Sequence, residues 1–380
     1  MDRMHATNPM RVLTVFGTRP EAIKMAPVVR RLAAHPGCEA LVCVTGQHRQ
    51  MLDQVLDLFA IKPDFDLDVM RASQGLTYIT TAILERLGDV FAEARPDRVL
   101  VQGDTTTTLA TALAAFYARI PVGHIEAGLR TGNIHSPFPE EMNRRLTSVI
   151  ADLHFPPTEI SRGNLLREGI DPDRVLVTGN TVVDALLDAV AILDADPVRT
   201  AALDALLPPL DASRRLIVAT GHRRENFEGG LERVARGLLA LAQRGDTQII
   251  YPVHLNPNVQ KAANLVLGGH SAIHLIPPLD YLPFVNLMRR AYLIITDSGG
   301  VQEEAPALGK PVLVTRETTE RPEAVEAGTV ELVGTDTALL VARATRLLDD
   351  PLAYAAMSRA HNPYGDGHAS ERIVERILRG

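Results

Sequence analysis

Residues Phe16 to Pro27 read FGTRPEAIKMAP and directly follow the apolar run RVLTV at 11–15. A β-branched run that stops at Gly17 and passes into Thr18, Arg19 and Pro20 reads as a buried strand entering a helix. Thr18 and Glu21 have the T-x-x-E spacing of a capping box, and Pro20 sits where a first helical turn tolerates proline. Arg19 and Lys24 then fall in the opening turns, where backbone N–H groups and cations together can hold phosphate oxygens. The plainer alternative is an exposed cap with two solvated cations.

Outward from this point the rhythm repeats. EALVCVT at 39–45, RVLVQGD at 98–104 and PVGHIEAG at 121–128 each read as a strand followed by a helix. After Asp211 it restarts with LIVATGH (216–222), TQIIYPVH (247–254), AIHLIPPL (272–279), YLIITDSG (292–299) and PVLVTR (311–316). Alternating units of this kind predict an α/β fold with parallel sheets. The expectation is two Rossmann-like, doubly wound domains facing a cleft, divided near Gly179 to Thr181 into residues 10–180 and 181–363. The Ala/Leu-rich stretch between the halves reads as helical and closes at Pro208 and Pro209. Ligands of such sheets belong at the carboxyl ends of the strands.

Composition limits the function classes. A chain of 380 residues exceeds what one core usually serves. A formal charge of -7 argues against a broad face for nucleic acid. Cys38 and Cys43 form no C-x-x-C pair and have no zinc-type surroundings, which fits a reducing cytoplasm. No stretch approaches the length of a membrane span or a signal peptide, and residues 1–9 read as a frayed tail. Neither G-x-G-x-x-G after the first strand nor a P-loop is present, so a nicotinamide cofactor is not supported.

The unusual polar residues follow the apolar strands. Asp104 ends QGD and reads equally as a general base or a helix cap. Glu126 lies just past PVGHI, and SPFPEEMNRR places Glu140 and Glu141 at a helix start, with Glu140 and Arg144 spaced as an i,i+4 ion pair. In the second half LIVAT delivers His222, Arg223, Arg224 and Glu225, while His254 follows TQIIYPV. TDSGGVQEEAP sets Ser298, Gly299 and Gly300 at a helix N-terminus with Glu303 and Glu304 one turn on, an arrangement suited to phosphate and ribose or simply to a tight connection. Arg321 is a bidentate phosphate donor or a surface ion-pair partner of Glu320 or Glu323.

Taken in order, FGTRPEAIKMAP, QGDTTT, HIEAGLRT, SPFPEEMNR, VTGNTV, GHRREN, PVHLNPN, TDSGGVQEEAP, TTERPE and NPYGDG resemble the bacterial branch of the non-hydrolysing UDP-N-acetylglucosamine 2-epimerases. The resemblance implies a glycosyltransferase-B-like fold in which residues 364–380 return to the first domain. It also implies a homodimer, no metal and no cofactor. The implied reaction interconverts UDP-N-acetylglucosamine and UDP-N-acetylmannosamine; a glycosyltransferase, or an epimerase of a modified UDP-N-acetylhexosamine, is the alternative.

By motif match Asp104, Glu126, Glu140 and His222 resemble the family's catalytic set, beside Arg19, Lys24 and Arg144. Ser298, Gly299, Gly300, Glu304 and Arg321 resemble its UDP contacts, with Phe284 next to the uracil. Gln47, His48, Gln50 and His254 match the neighbourhood where bacterial members bind a second, activating UDP-N-acetylglucosamine; the stretch Arg71 to Gln74 fits that pattern less well. Carboxylates are wanted because the hydrogen at C2 is not beside a carbonyl. Loss of UDP from C1 makes its removal feasible, and re-addition with protonation from the other face inverts C2.

Overall fold

The structure is a computed structural model that describes residues 9–46, 49–71, 74–223, 226 and 229–379. Residues 1–8, Gln47, His48, Arg224 and Glu225 are therefore outside the described residues, as is the side chain of Gln50. Among the described residues no helix is long and apolar enough to cross a membrane.

Apolar runs became strands where burial on both faces rewarded them. The first sheet comprises β1 (Met10–Phe16), β2 (Cys38–Val44), β3 (Phe65–Asp66), β4 (Arg98–Gln102), β5 (Val122–Ile125) and β6 (Leu153–Phe155). Its order is β3-β2-β1-β4-β5-β6, and the pairings are parallel. The second sheet comprises β7 (Arg215–Thr220), β8 (Thr247–Pro252), β9 (Ile273–Ile276), β10 (Leu293–Thr296), β11 (Val312–Val314) and β12 (Val330–Leu332). It runs β12-β11-β10-β7-β8-β9, again in parallel. Each sheet thus reverses its winding once, between β1 and β4 and between β7 and β10. Those two points are where a doubly wound sheet opens a crevice for ligands.

The nine apolar runs read from the sequence all carry strands. β3, β6 and β12, two or three residues each, had no run long enough to show a period. The helix expected directly after PVGHIEAG starts only at Glu140, and residues 175–180 are not helical. The helices Thr181–Ala195 and Pro197–Asp204 carry the rest of the Ala/Leu-rich stretch.

Contacts divide the chain into two units. One runs through Ala185 and takes back the chain from Tyr364; the other spans Leu186–Pro363. Within the first unit the returning segment is held by Asn180, whose N–H donates to the Tyr364 carbonyl at 2.6 Å. Asp184 accepts from the Ser370 N–H and hydroxyl at 2.8 and 2.6 Å. Tyr364 is itself buried.

Gly17, at the end of β1, shows how tightly the first reversal point is packed. A Cβ there would sit 2.0 Å from the Thr45 hydroxyl and 2.6 Å from that of Thr107, two groups that hydrogen-bond each other at 3.1 Å. Gly17→Ala is expected to destabilise the chain by about 2 kcal/mol, as overpacking does. Urea unfolding that leaves the midpoint unchanged would show the packing to be looser.

His124 and His154 are register partners on β5 and β6, and both are buried. Burial pushes their pKa values down to about 3 and about 4. The unfolded chain therefore binds protons below pH 6.5 that the folded chain refuses, so stability falls as pH drops through that window. Removing one histidine removes up to about 1.4 kcal/mol per pH unit of that slope. His154→Leu is expected to lose about 2 kcal/mol less than the unmodified chain between pH 7 and pH 5. Equal losses in urea unfolding at the two pH values would contradict this.

Candidate functional site

At the first reversal point the turn after β1 and the turn after β4 are tied together by Glu21. Its Oε2 accepts from the N–H groups of Thr18 at 2.8 Å and Gly17 at 3.1 Å, and Oε1 accepts from the Thr105 hydroxyl at 2.6 Å. The capping box is thus present, and its carboxylate also reaches the neighbouring strand. Burial pushes the Glu21 pKa up, against the pull of those hydrogen bonds.

Asp104 does not cap the helix Thr106–Tyr117; Thr105 does, accepting from the Thr108 N–H at 3.1 Å. The Asp104 side chain is instead fixed by Arg144, whose Nε and Nη2 lie 2.9 and 2.6 Å from Oδ2. Asn143 donates to the Asp104 carbonyl at 2.8 Å. Oδ1 has no hydrogen-bond partner among the described residues. One oxygen is held and the other is free, on a side chain 27% exposed.

The Glu140–Arg144 pair expected from spacing does not form. Arg144 turns to Asp104 and to Glu141, at 3.1 Å, because Glu141 is fully buried and already accepts from the N–H groups of Thr131 and Gly132. Glu140 stands half-buried at the first position of the helix Glu140–Ile150 with no ion-pair partner among the described residues. Arg19 is likewise half-buried, at the first position of the helix Arg19–Ala34, and pairs with no carboxylate among the described residues.

Glu126 follows β5 in the left-handed region, at φ +61°, a conformation costly for a side chain of this size. Its carboxylate accepts from the Lys24 ammonium at 2.6 and 2.7 Å, from Asn180 at 3.1 Å and from Gln102. Lys24, read as a phosphate cation, is therefore the ion-pair partner of Glu126. Gln102 and Asn180, which also hold this carboxylate, were not singled out from the sequence. Gln102 sits in the QGD motif as a strand residue, and only the fold brings Asn180 across 54 positions.

At the second reversal point, Thr220 and Thr296 are opposite one another at the ends of β7 and β10, with hydroxyls 2.6 Å apart. One residue beyond Thr296, Asp297 is fully buried and accepts from the N–H groups of His222 and Arg223, each at 2.9 Å. His222 Nδ1 lies 2.9 Å from Asp297 Oδ1. Burial would raise the Asp297 pKa, yet the His222 side chain and the two backbone donors bring it below the usual carboxylate range. The ring of His222 is thereby oriented with Nε2 left over, and His254 stacks on it at 5.8 Å between centroids.

Ser298 is the N-cap position of the helix Gly299–Ala307, which presents its unpaired N–H groups beside Gly300. Arg321 is held by Glu303, with Glu320 farther off at 3.9 Å. A Cβ on Gly299 would lie 2.7 Å from Arg321 Nη1, so the guanidinium lies directly against the Gly299 backbone. Glu304 lies beside Tyr281 and is nearly buried. Phe284 is half-buried in the helix Tyr281–Arg290. Among the described residues no cluster of His, Cys, Asp and Glu could hold a metal ion.

The family model described as UDP-N-acetylglucosamine 2-epimerase matches residues 30–378. The chain is 60% identical over 370 residues to the UDP-N-acetylglucosamine 2-epimerase of Escherichia coli (strain K12), covering 97% of this chain and 98% of that one. A crystal structure of the UDP-GlcNAc 2-epimerase from Neisseria meningitidis, bound to UDP-GlcNAc, superposes with a TM-score of 0.90 at 53% identity, covering 98% and 100% of the two chains. The Methanocaldococcus jannaschii UDP-GlcNAc 2-epimerase, solved in complex with UDP-GlcNAc and UDP, gives 0.80 at 35% identity over 98% and 100%. The two parallel sheets, the polar groups at their reversal points and this full-length similarity lead to one assignment: the chain belongs to the UDP-N-acetylglucosamine 2-epimerase family.

Proposed function

We propose that this chain interconverts UDP-N-acetylglucosamine and UDP-N-acetylmannosamine by eliminating UDP and adding it back, without hydrolysing the sugar. In the first step the C1–O bond breaks and its electron pair leaves on the diphosphate. The proton at C2 passes to a carboxylate, and the sugar keeps a C1–C2 double bond. Reversal with protonation from the other face inverts C2.

The observation that carries this reading is Asp104, with Oδ2 locked by Arg144 and Oδ1 free at the carboxyl end of β4. A base needs one available oxygen and a fixed orientation. Glu140, at a helix start with no ion-pair partner among the described residues, serves as a second proton-handling group. Glu126 does so as a unit with Lys24, which supplies the proton or the charge that lets the carboxylate change state. His222, oriented by Asp297, and Arg19 stabilise the departing diphosphate. The Ser298–Gly300 N–H groups and Arg321 bind phosphate, Glu304 the ribose and Phe284 the uracil.

A second UDP-N-acetylglucosamine acting as activator rests on His254, exposed and stacked on His222. A cytoplasmic setting fits the free thiols of Cys38 and Cys43. Homodimer formation is supported by Met142, Leu146 and Val149, which share one outer face of the helix Glu140–Ile150 near exposed Phe116 and Tyr117. A stripe of that kind is what a self-complementary contact buries.

Reaction in heavy water should give product carrying deuterium at C2, and Asp104→Asn should lower kcat by about 10²-fold or more while the chain stays folded. Full exchange by Asp104→Asn would remove that residue as the base; free N-acetylmannosamine in the product would replace the non-hydrolysing reading. In light scattering after gel filtration the chain should have dimer mass and Leu146→Asp/Val149→Asp monomer mass. A dimer that survives the double substitution would place the contact elsewhere.

A further inference from the structure

The strands that carry His222 and Asp297 at their carboxyl ends border a second feature at their amino ends. There, at the starts of β7 and β10, lies a cavity of about 360 Å³, within the range of small-ligand sites. Arg214, Arg215, Arg290 and Lys310 line it against the single carboxylate of Asp211. Tyr292 and Tyr354, stacked at 4.2 Å between ring centroids, form one wall, and the Arg215 guanidinium lies 5.1 Å over the Tyr292 ring.

Three of these cations already have carboxylate partners. Arg214 lies 3.2 Å from Asp211, Arg290 2.7 Å from Asp204, and Arg215 3.6 Å from Asp246. Lys310 has no partner among the described residues. It is also half-buried, and its neighbour Arg289 is a like charge. Burial and that repulsion both lower its pKa. An ammonium that gives up water without gaining a counter-ion costs free energy, and no carboxylate among the described residues offsets it. An anion supplied from outside would complete the arrangement. The paired arginines hold their guanidiniums in place and retain N–H donors for it.

We propose that this cavity is a binding site for the phosphate group of a small molecule, separate from the groups at the carboxyl ends of the same strands. A phosphate dianion satisfies several cations at one point, and the tyrosine pair gives a phosphate ester an apolar surface to lie against. The distance along β7 from this site to His222 is about 20 Å by the rise of a strand.

The four lysines of the chain, Lys24, Lys62, Lys261 and Lys310, allow a test without substitution. Acylation of Lys310 by an amine-directed reagent, followed by peptide mass spectrometry, should slow at least about fivefold in saturating inorganic phosphate, as occupancy of a site protects it. Exposed Lys62 and Lys261 serve as controls, and chloride of equal ionic strength should not protect Lys310. Glucose 6-phosphate in a parallel arm distinguishes the sources, because stronger protection than by inorganic phosphate identifies an ester as ligand. By calorimetry, Lys310→Met should weaken phosphate binding at least about tenfold, while Lys310→Arg and Arg321→Ala should retain it within about threefold. Equal acylation with and without either phosphate would overturn the proposal, as would binding lost in Arg321→Ala and kept in Lys310→Met.

Discussion

The first unit is organised around one buried carboxylate. Glu21 reaches back to the N–H groups of Gly17 and Thr18 and across to the Thr105 hydroxyl, so it closes the turn after β1 and the turn after β4 with the same group. Asp104 stands one residue before Thr105, so the position of its carboxyl group follows from that closure. Burial alone would favour a neutral Glu21, and the donors around it oppose this. A single side chain thus converts the reversal of sheet winding, a property of topology, into a fixed arrangement of polar groups.

The second unit uses the same device with different chemistry. Asp297 takes two backbone N–H groups from the turn after β7 and holds the His222 ring with its other oxygen. In both units a carboxylate from one side of the reversal point gathers donors from the other. Backbone N–H groups in such turns have no ladder partner, and a buried acceptor satisfies them without closing the crevice.

Much of this was legible from the residues. The apolar runs, most of them ending in glycine or a short polar residue, contain enough period and punctuation to give two parallel sheets, and the capping box around Thr18 and Glu21 is a local pattern. The edge strands were not legible, since β3, β6 and β12 are too short to differ from loops. Pairings between distant positions were equally hidden. Spacing offered Glu140 to Arg144, but the buried Glu141 and the more distant Asp104 compete better, because a helix-surface pair is worth only a few tenths of a kcal/mol. Lys24 looked like a free cation because the sequence does not show that Glu126, 102 positions away, is its partner. Gln102 and Asn180 are ordinary strand and loop residues until that carboxylate is placed between them.

The return of the chain at Tyr364 makes the second unit an insertion in the first. Its residues are contiguous, whereas the helix Ala369–Arg379 of the first unit follows them in the chain. A ribosome therefore releases everything the second unit needs before the partner of Asn180 and Asp184 exists. Domains that fold during synthesis do so in the order their parts emerge. In this chain the later segment can close first, while the surface of the helix Arg19–Ala34 that the helix Ala369–Arg379 covers is still open to water.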